Sequence, residues 1–469
     1  MPTEPKPELL KRIPPITELL KSAAVAEWLK SHPAPLVTDC LRGAVSEIRQ
    51  KVLAVAAQGG AEEVSLEVVL ARAANLLSEA TTPHLREAIN ATGIILHTGL
   101  GRAVLPERVV DSMVAELKGC CTLAVDRRTG ERIERDELVE YILTELTGAE
   151  AATVVNNNAA ATMLVLAALA TRKEVIVSRG QLIEIGGSFR LPEVMAQSQA
   201  QLVEVGATNR THLKDYQKAI TPETAALMRV HPSNYRVVGF TSEPALKELA
   251  DLAHKHGLIL IDDLGAGALL DLEQFGLPHE PTVRESIGAG ADVVLFSGDK
   301  LIGAGQAGVI VGRKALIDQL RKHPLMRAVR IDKTCLLVLE RTLHLFRNPE
   351  LLRRENPTYR MICTPLETLQ QRARTFVELI AKLAPSVATR MEESTGYLGS
   401  GSLPTQALRS VTVSVAAPGL NATELARRLR LDPACVFGRI EADRVRLDMR
   451  TITDAQVQAI GEAVSRVAT

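Results

Sequence analysis

Short apolar runs bounded by polar residues or glycine recur through the middle of the chain. Residues 152–155, 174–178, 202–205, 226–230, 258–261 and 292–296 each read as a buried strand. Between them the apolar positions take helical spacing, which predicts helices over 159–170, 213–220, 243–256 and 282–290. Buried strands alternating with helices predict right-handed βαβ units and an α/β fold, a mostly parallel sheet with helices on both faces. Ligands of such sheets bind beyond the carboxyl ends of the strands, so the polar residues that follow each strand become the candidates for chemistry.

The flanks read differently. Residues 1–88 are helical throughout: Leu19, Leu20, Trp28 and Leu29 suggest one helix, 37–57 a second and 65–79 a third, with Ser65 as its N-cap. Gln58, Gly59 and Gly60 form a helix stop, and Thr81-Thr82-Pro83 a boundary. From 89 to 345 the alternating pattern holds. Residues 346–469 form a smaller α/β unit, with helices over 366–383, 423–429 and 454–467, strands over 410–414 and 445–448, and a turn-rich loop over 396–404.

Composition narrows the class. The 469 residues carry 55 basic and 55 acidic side chains, so indiscriminate coating of nucleic acid is excluded. Aromatic residues make up 3%, too few for base stacking as the main mode of recognition. No stretch approaches the roughly 20 apolar residues of a membrane helix, and the first residues do not read as a secretory signal, which points to a cytoplasmic protein without a membrane partner. The six cysteines have neither CxxC spacing nor a histidine at metal-site distance, so no metal centre is expected.

Three strand ends carry candidate chemistry. In FSGDK (296–300) a buried strand is followed by Lys300 and a glycine-rich stretch, the setting of a desolvated, nucleophilic Schiff-base lysine beside pyridoxal 5′-phosphate (PLP). Taken alone, a surface lysine in a turn is the slightly better reading. Asp262 and Asp263 directly follow another strand, where a PLP enzyme needs a carboxylate to keep the pyridine nitrogen protonated; a helix-capping aspartate is the plain alternative. Asn156, Asn157 and Asn158 lie between a strand and a helix start, a natural phosphate cradle or an ordinary cap. The order cradle, carboxylate, lysine is harder to obtain by chance than any one signal. No P-loop and no complete dinucleotide fingerprint is present.

At family level, INATGIILHTGLGRA (89–103), VNNNAAA (155–161), VSRG (177–180), EIGGSFR (184–190), EVGATNRTH (204–212), FSGDK (296–300) and VFGRIE (436–441) resemble the bacterial selenocysteine synthases, L-seryl-tRNA(Sec) selenium transferases. The resemblance spans nearly the whole chain. It implies a fold-type I PLP-dependent transferase, like aspartate aminotransferase, with a small N-terminal helical domain (1–88) that binds tRNA, a PLP-binding large domain (89–345) and a C-terminal small α/β domain (346–469). It implies conversion of L-seryl-tRNA(Sec) to L-selenocysteinyl-tRNA(Sec) with selenophosphate, through an aminoacrylyl-tRNA, in a dimer-based homo-oligomer, a decameric ring.

By the same resemblance Lys300 joins the cofactor and later removes the Cα proton, Asp263 rather than Asp262 faces the pyridine nitrogen, and Arg135 lies near the cofactor. Asp299 orients Lys300 or protonates the leaving hydroxyl. Arg102, Arg327 and Arg330 form the selenophosphate site, the last two sharing a face if they lie on one helix. The chain departs from the family pattern at Gly99, Ile133, Ala266 and Gly303-Ala304-Gly305. Two rival readings remain: a related PLP lyase acting on a phosphorylated amino sugar acid, and a tRNA-binding relative without activity. The lyases typically lack a segment like 1–88, and a binder would not need Lys300.

Overall fold

The computed structural model describes residues 10, 12–57, 64–186, 189–400 and 402–468. These divide into two compact units, one within 1–87 and one within 88–469.

The first unit is built from helices Ile16–Leu19, Ala23–Trp28, Ala34–Ala57 and Leu66–Thr81. The apolar positions around Leu19 and Trp28 form two short helices where the sequence suggested one. Ser22 interrupts them and caps the second by accepting from Val25 N at 3.3 Å. Ser65 caps the last helix in the same way, accepting from Val68 N. Leu19, Val25, Leu41, Val69 and Ala73 are buried together in its core. The predicted stop at Gln58-Gly59-Gly60 lies outside the described residues.

In the second unit the strands are β1 (Ile89–Asn90), β2 (Ala151–Val155), β3 (Glu174–Ser178), β4 (Glu184–Ile185), β5 (Phe189–Arg190), β6 (Gln201–Val205), β7 (Thr224–Val230), β8 (Ile259–Gly265), β9 (Val293–Ser297), β10 (Gly308–Gly312), β11 (Ala388–Gly399), β12 (Ser402–Ala416), β13 (Val436–Phe437), β14 (Arg439–Glu441) and β15 (Arg444–Asp448). Seven of them form the main sheet, ordered β2-β10-β9-β8-β7-β3-β6. β10 is antiparallel to both of its neighbours, and the other pairings are parallel. Every residue of the edge strand β2 and of the inner strands β9 and β10 is buried, as expected for a sheet covered on both faces. Two apolar clusters, one containing Val154, Leu260, Val294 and Phe296 and the other Val155, Ile261, Leu295 and Ile310, show that alternate residues of each strand feed opposite sides.

A second sheet, β11-β12-β15-β14, packs its Val411, Val413, Val415, Val445 and Leu447 with residues of helices Leu366–Leu383, Ala422–Leu431 and Asp454–Ala468. β11 and β12 continue as a long hairpin into the segment read as a turn-rich loop, so only its tip is a turn. β11 escaped notice because Glu392, Glu393 and Ser394 interrupt its apolar alternation. The start of this unit is tied to its end: β1 pairs in parallel with β13, and Ala91 N donates to Phe437 O at 2.8 Å.

Candidate active site

Four strands deliver polar residues to one cavity of about 300 Å³ beyond the carboxyl ends of the parallel strands. β9 ends at Ser297, and the chain turns through Gly298 and Asp299 to Lys300. Gly298 fits closely there: a Cβ would be crowded, 3.0 Å from the Gly305 carbonyl oxygen and 3.1 Å from Ala307 Cβ. The loop closes through Gly298 N to Ala307 O at 2.8 Å and Gly303 N to Lys300 O at 3.0 Å. Gly303 has φ +71° and leaves room for the buried Asn356 amide, which donates to Ile302 O. The departure Gly303-Ala304-Gly305 is therefore locally self-consistent.

Lys300 lines the cavity and is 5% exposed. Burial pushes its ammonium below the ordinary lysine range, Arg102 adds to that effect, and the carboxylates of Asp299 and Asp263 oppose it. Part of its population is thereby available as a neutral amine, the form that can act as nucleophile or base.

The β8 aspartates are separated by strand alternation. Asp262 receives both Arg229 Nε (2.6 Å) and Arg229 Nη2 (2.7 Å) and is fully engaged. Asp263 lines the cavity. Its Oδ1 accepts from Asn158 Nδ2 at 2.9 Å and Gly265 N at 3.0 Å, and its Oδ2 lies 3.0 Å from the Thr162 hydroxyl. Burial raises its pKa, while these hydrogen bonds and Lys300 pull in the opposite direction. A buried carboxylate in this state favours a cationic N–H partner inside the cavity.

The three asparagines divide their work. Asn157 caps helix Asn158–Leu169, accepting from Ala160 N at 2.9 Å. Asn158 binds Asp263 through its Nδ2, and its Oδ1 is buried without a partner. Asn157 and Asn158 line the cavity, whereas Asn156 is exposed and its N–H is taken by the Val329 carbonyl. Gly308 on β10 approaches the helix start so closely that any Cβ would overlap the Asn157 carbonyl oxygen.

The arginines fall into two places. Arg102 lines the cavity and donates to Asp299 Oδ2 at 2.6 Å. Arg327 and Arg330 do not share a helical face: helix Leu325–Ala328 is a single turn that ends before Arg330, which instead bridges to Val155 at the end of β2. Both lie near Arg135, whose guanidinium is pushed below its ordinary value by burial and by the charges of Arg330 and Arg327. Arg135 Nη1 also donates to Ile331 O at 2.7 Å.

Residues after β7 complete the cavity and had not been singled out. His231 bonds through Nε2 to the buried Glu280 at 2.9 Å, and its backbone N–H donates to Asp263 O. Ser233 lines the same wall. The rule that drew attention to Lys300 and Asp263, polar residues directly after a buried strand, points equally to these two. Apolar Ile183, Ile185, Phe189 and Leu191, around the β4–β5 hairpin, form the remaining wall.

Family models match most of the chain: one for L-seryl-tRNA selenium transferase matches residues 88–453, and one for the selenocysteine synthase N terminus matches residues 10–49. The chain belongs to the L-seryl-tRNA selenium transferase family. Relatives described as L-seryl-tRNA(Sec) selenium transferase include those of Hyphomonas neptunium, 46% identical over 98% of this chain and 99% of the relative. Those of Geotalea daltonii and Geobacter sulfurreducens are each 44% identical with the same coverage. The solved structure of a D-glucosaminate-6-phosphate ammonia-lyase superposes with a TM-score of 0.56 at 22% identity, covering 82% of this chain and 96% of that one. The fold is that of the fold-type I PLP enzymes, as expected from the sequence.

The cofactor of this transferase family and fold is PLP, and the cavity fits it. It offers a buried primary amine, an opposed buried carboxylate, a helix start approached closely through Gly308, and two buried polar atoms, Asn158 Oδ1 and Ser233 Oγ, that lack protein partners. Among the described residues no group of side chains suits a metal ion, and no helix is long and apolar enough to cross a membrane.

Proposed function

We propose that this chain converts L-seryl-tRNA(Sec) to L-selenocysteinyl-tRNA(Sec), taking selenium from selenophosphate, as a dimer-based cytoplasmic homo-oligomer. The observation that carries this reading is the joint match of the synthase N-terminal model and of full-length transferases to a chain whose lysine and carboxylate meet in one cavity.

PLP, when bound, withdraws electrons from the carbon that carries the seryl amine, so that a proton on that carbon becomes removable. The chain's own residues do the rest. Lys300, partly neutral through burial, anchors the cofactor and afterwards accepts the proton. Asp263, held by Asn158, Thr162 and Gly265, keeps a proton on the ring nitrogen. The start of helix Asn158–Leu169 presents backbone N–H groups to the phosphate. Asp299 aims Arg102 into the cavity, where the unused guanidinium N–H groups suit an oxyanion such as selenophosphate. Arg135, Arg327 and Arg330 are a second concentration of positive charge, and we assign Arg327 and Arg330, with Arg102, to the capture of that anion. The helical domain within 1–88 is assigned to tRNA binding.

The test uses purified, PLP-loaded protein with Ser-tRNA(Sec) and selenophosphate, and Ser-tRNA(Ser) as control. Selenocysteinyl-tRNA(Sec) should form, with none from the control tRNA. Ammonia release from a phosphorylated amino sugar acid, without selenocysteinyl product, would instead identify the lyase. Borohydride reduction and peptide mapping should place the label on Lys300 and on no other lysine.

A further inference from the structure

We propose that Ser233 is a cofactor-binding residue whose hydroxyl donates a hydrogen bond to the 3-oxygen of the bound pyridine ring and thereby sets its acidity. The inference rests on PLP occupying the cavity as described above.

Ser233 is 2% exposed, lines the cavity, and its Oγ has no hydrogen-bond partner. A buried hydroxyl left without a partner is destabilising, so an unpaired one in a cavity wall points to a ligand contact. Its position is fixed by the main chain. Ser233 N donates to His231 O at 2.7 Å, and His231 is held by its N–H to Asp263 O and by its ring to Glu280. A Cβ on Gly265 would stand 3.2 Å from Ser233 Oγ, which places the hydroxyl beside the end of the strand that carries Asp263.

The chemistry of the ring then selects the atom. The ring nitrogen and the aldehyde-bearing carbon lie opposite each other, and they are assigned to Asp263 and Lys300. The phosphate arm and the 3-oxygen flank the aldehyde carbon on opposite sides. In the sheet, β2, which leads into the phosphate-binding helix, lies on one side of β8 and β9, and β7, which leads to Ser233, lies on the other. With the phosphate at Asn157 and Asn158, the 3-oxygen faces the β7 side, where, among the described residues, Ser233 offers a buried donor without a partner.

A donor at this oxygen stabilises the form with more negative charge on it, so removing the donor makes the bound cofactor hold its proton to higher pH. In the PLP-loaded protein, absorbance titration of Ser233→Ala should show a transition displaced upward by about one pH unit, a tenfold change in proton affinity. Ser233→Thr should restore it. The charged groups around the site, Asp263, Asp299, Arg102 and the His231–Glu280 pair, are the same in both proteins, so the difference between the two titrations reports the substitution. As a second measurement, wild type should prefer PLP over 3-deoxypyridoxal 5′-phosphate by about tenfold more than Ser233→Ala does. An unchanged titration together with an unchanged preference would overturn the assignment. Should Ser233→Ala not fold, the isosteric Ser233→Cys, a weaker donor, decides by the same two measurements. Wild-type protein that acquires no cofactor absorbance would instead overturn the PLP reading itself.

Discussion

Arg102 donates to Asp299 at 2.6 Å from a backbone with φ +62°, a left-handed conformation uncommon outside glycine, directly beside Lys300. The two charges act on the lysine in opposite senses, Arg102 lowering its pKa and Asp299 raising it. Arg102→Ala should therefore move the pH at which Lys300 becomes reactive upward, and Asp299→Asn should move it downward. The pH dependence of the rate of PLP incorporation checks both. Shifts of the same sign in the two variants would show that Lys300 does not respond to this pair.

Asp263→Asn should fold. The Thr162 hydroxyl also lies 3.0 Å from Asn158 O, so it can donate there and accept from the new amide, while the other amide atom keeps its bonds from Asn158 and Gly265. Burial raises the pKa of Asp263, so its contribution to stability is fully present below the unfolded-state pKa and is lost as pH rises through the folded value. The cofactor-free variant should accordingly gain on wild type from acid to neutral pH in urea titrations. Its transferase activity should fall by about two orders of magnitude or more, since the ring nitrogen loses its proton-holding partner.

Arg229 and Asp262 form a two-pronged pair whose carboxylate has no exposed surface. Arg229→Met leaves that charge buried and unpaired, and should cost about 3–5 kcal/mol in chemical denaturation. Loss of PLP binding at full stability would instead give Asp262 the role assigned to its neighbour.

Gly308→Ala should weaken PLP binding by about tenfold or more, because the added methyl drives the Asn157 carbonyl and the helix start away from the phosphate. Equilibrium titration with PLP measures this, and pyridoxal, which has no phosphate, should show little difference between the two proteins.

The strands of the main sheet could be read in sequence because they are buried on both faces and therefore appear as unbroken apolar runs, such as Val293 to Phe296. Lys300, Asp263, Asn157 and Asn158, which line the cavity, stand at or just beyond the ends of such runs, whereas Asn156 carried the same signal but lies outside the cavity. The arrangement of Arg327 and Arg330 was not: their three-residue spacing suits a helix, but the local helix ends at Ala328 and Arg330 is drawn to β2. The resemblance preferred Asp263 to Asp262, but the physical difference between them, Arg229 engaging Asp262 while Asp263 lines the cavity, appears only in the fold. Ser233 and His231 carried the same strand-end signal as Lys300, but they belong to no charged motif, and their neighbours Glu280 and Gly265 become adjacent only through the fold.

The parallel pairing of Ile89–Asn90 with Val436–Phe437 has a consequence for how the protein is made. Gly93 N donates to Thr451 Oγ1 and Asp448 N donates to Ala91 O, so the segment leading to Arg102 is moored to residues near the end of the chain. During synthesis the main sheet, Lys300 and Asp263 emerge from the ribosome well before this mooring exists. Until residues 436–451 have been made, the bonds that moor the segment leading to Arg102 cannot form, so this charge is the last of the cavity's to gain its support.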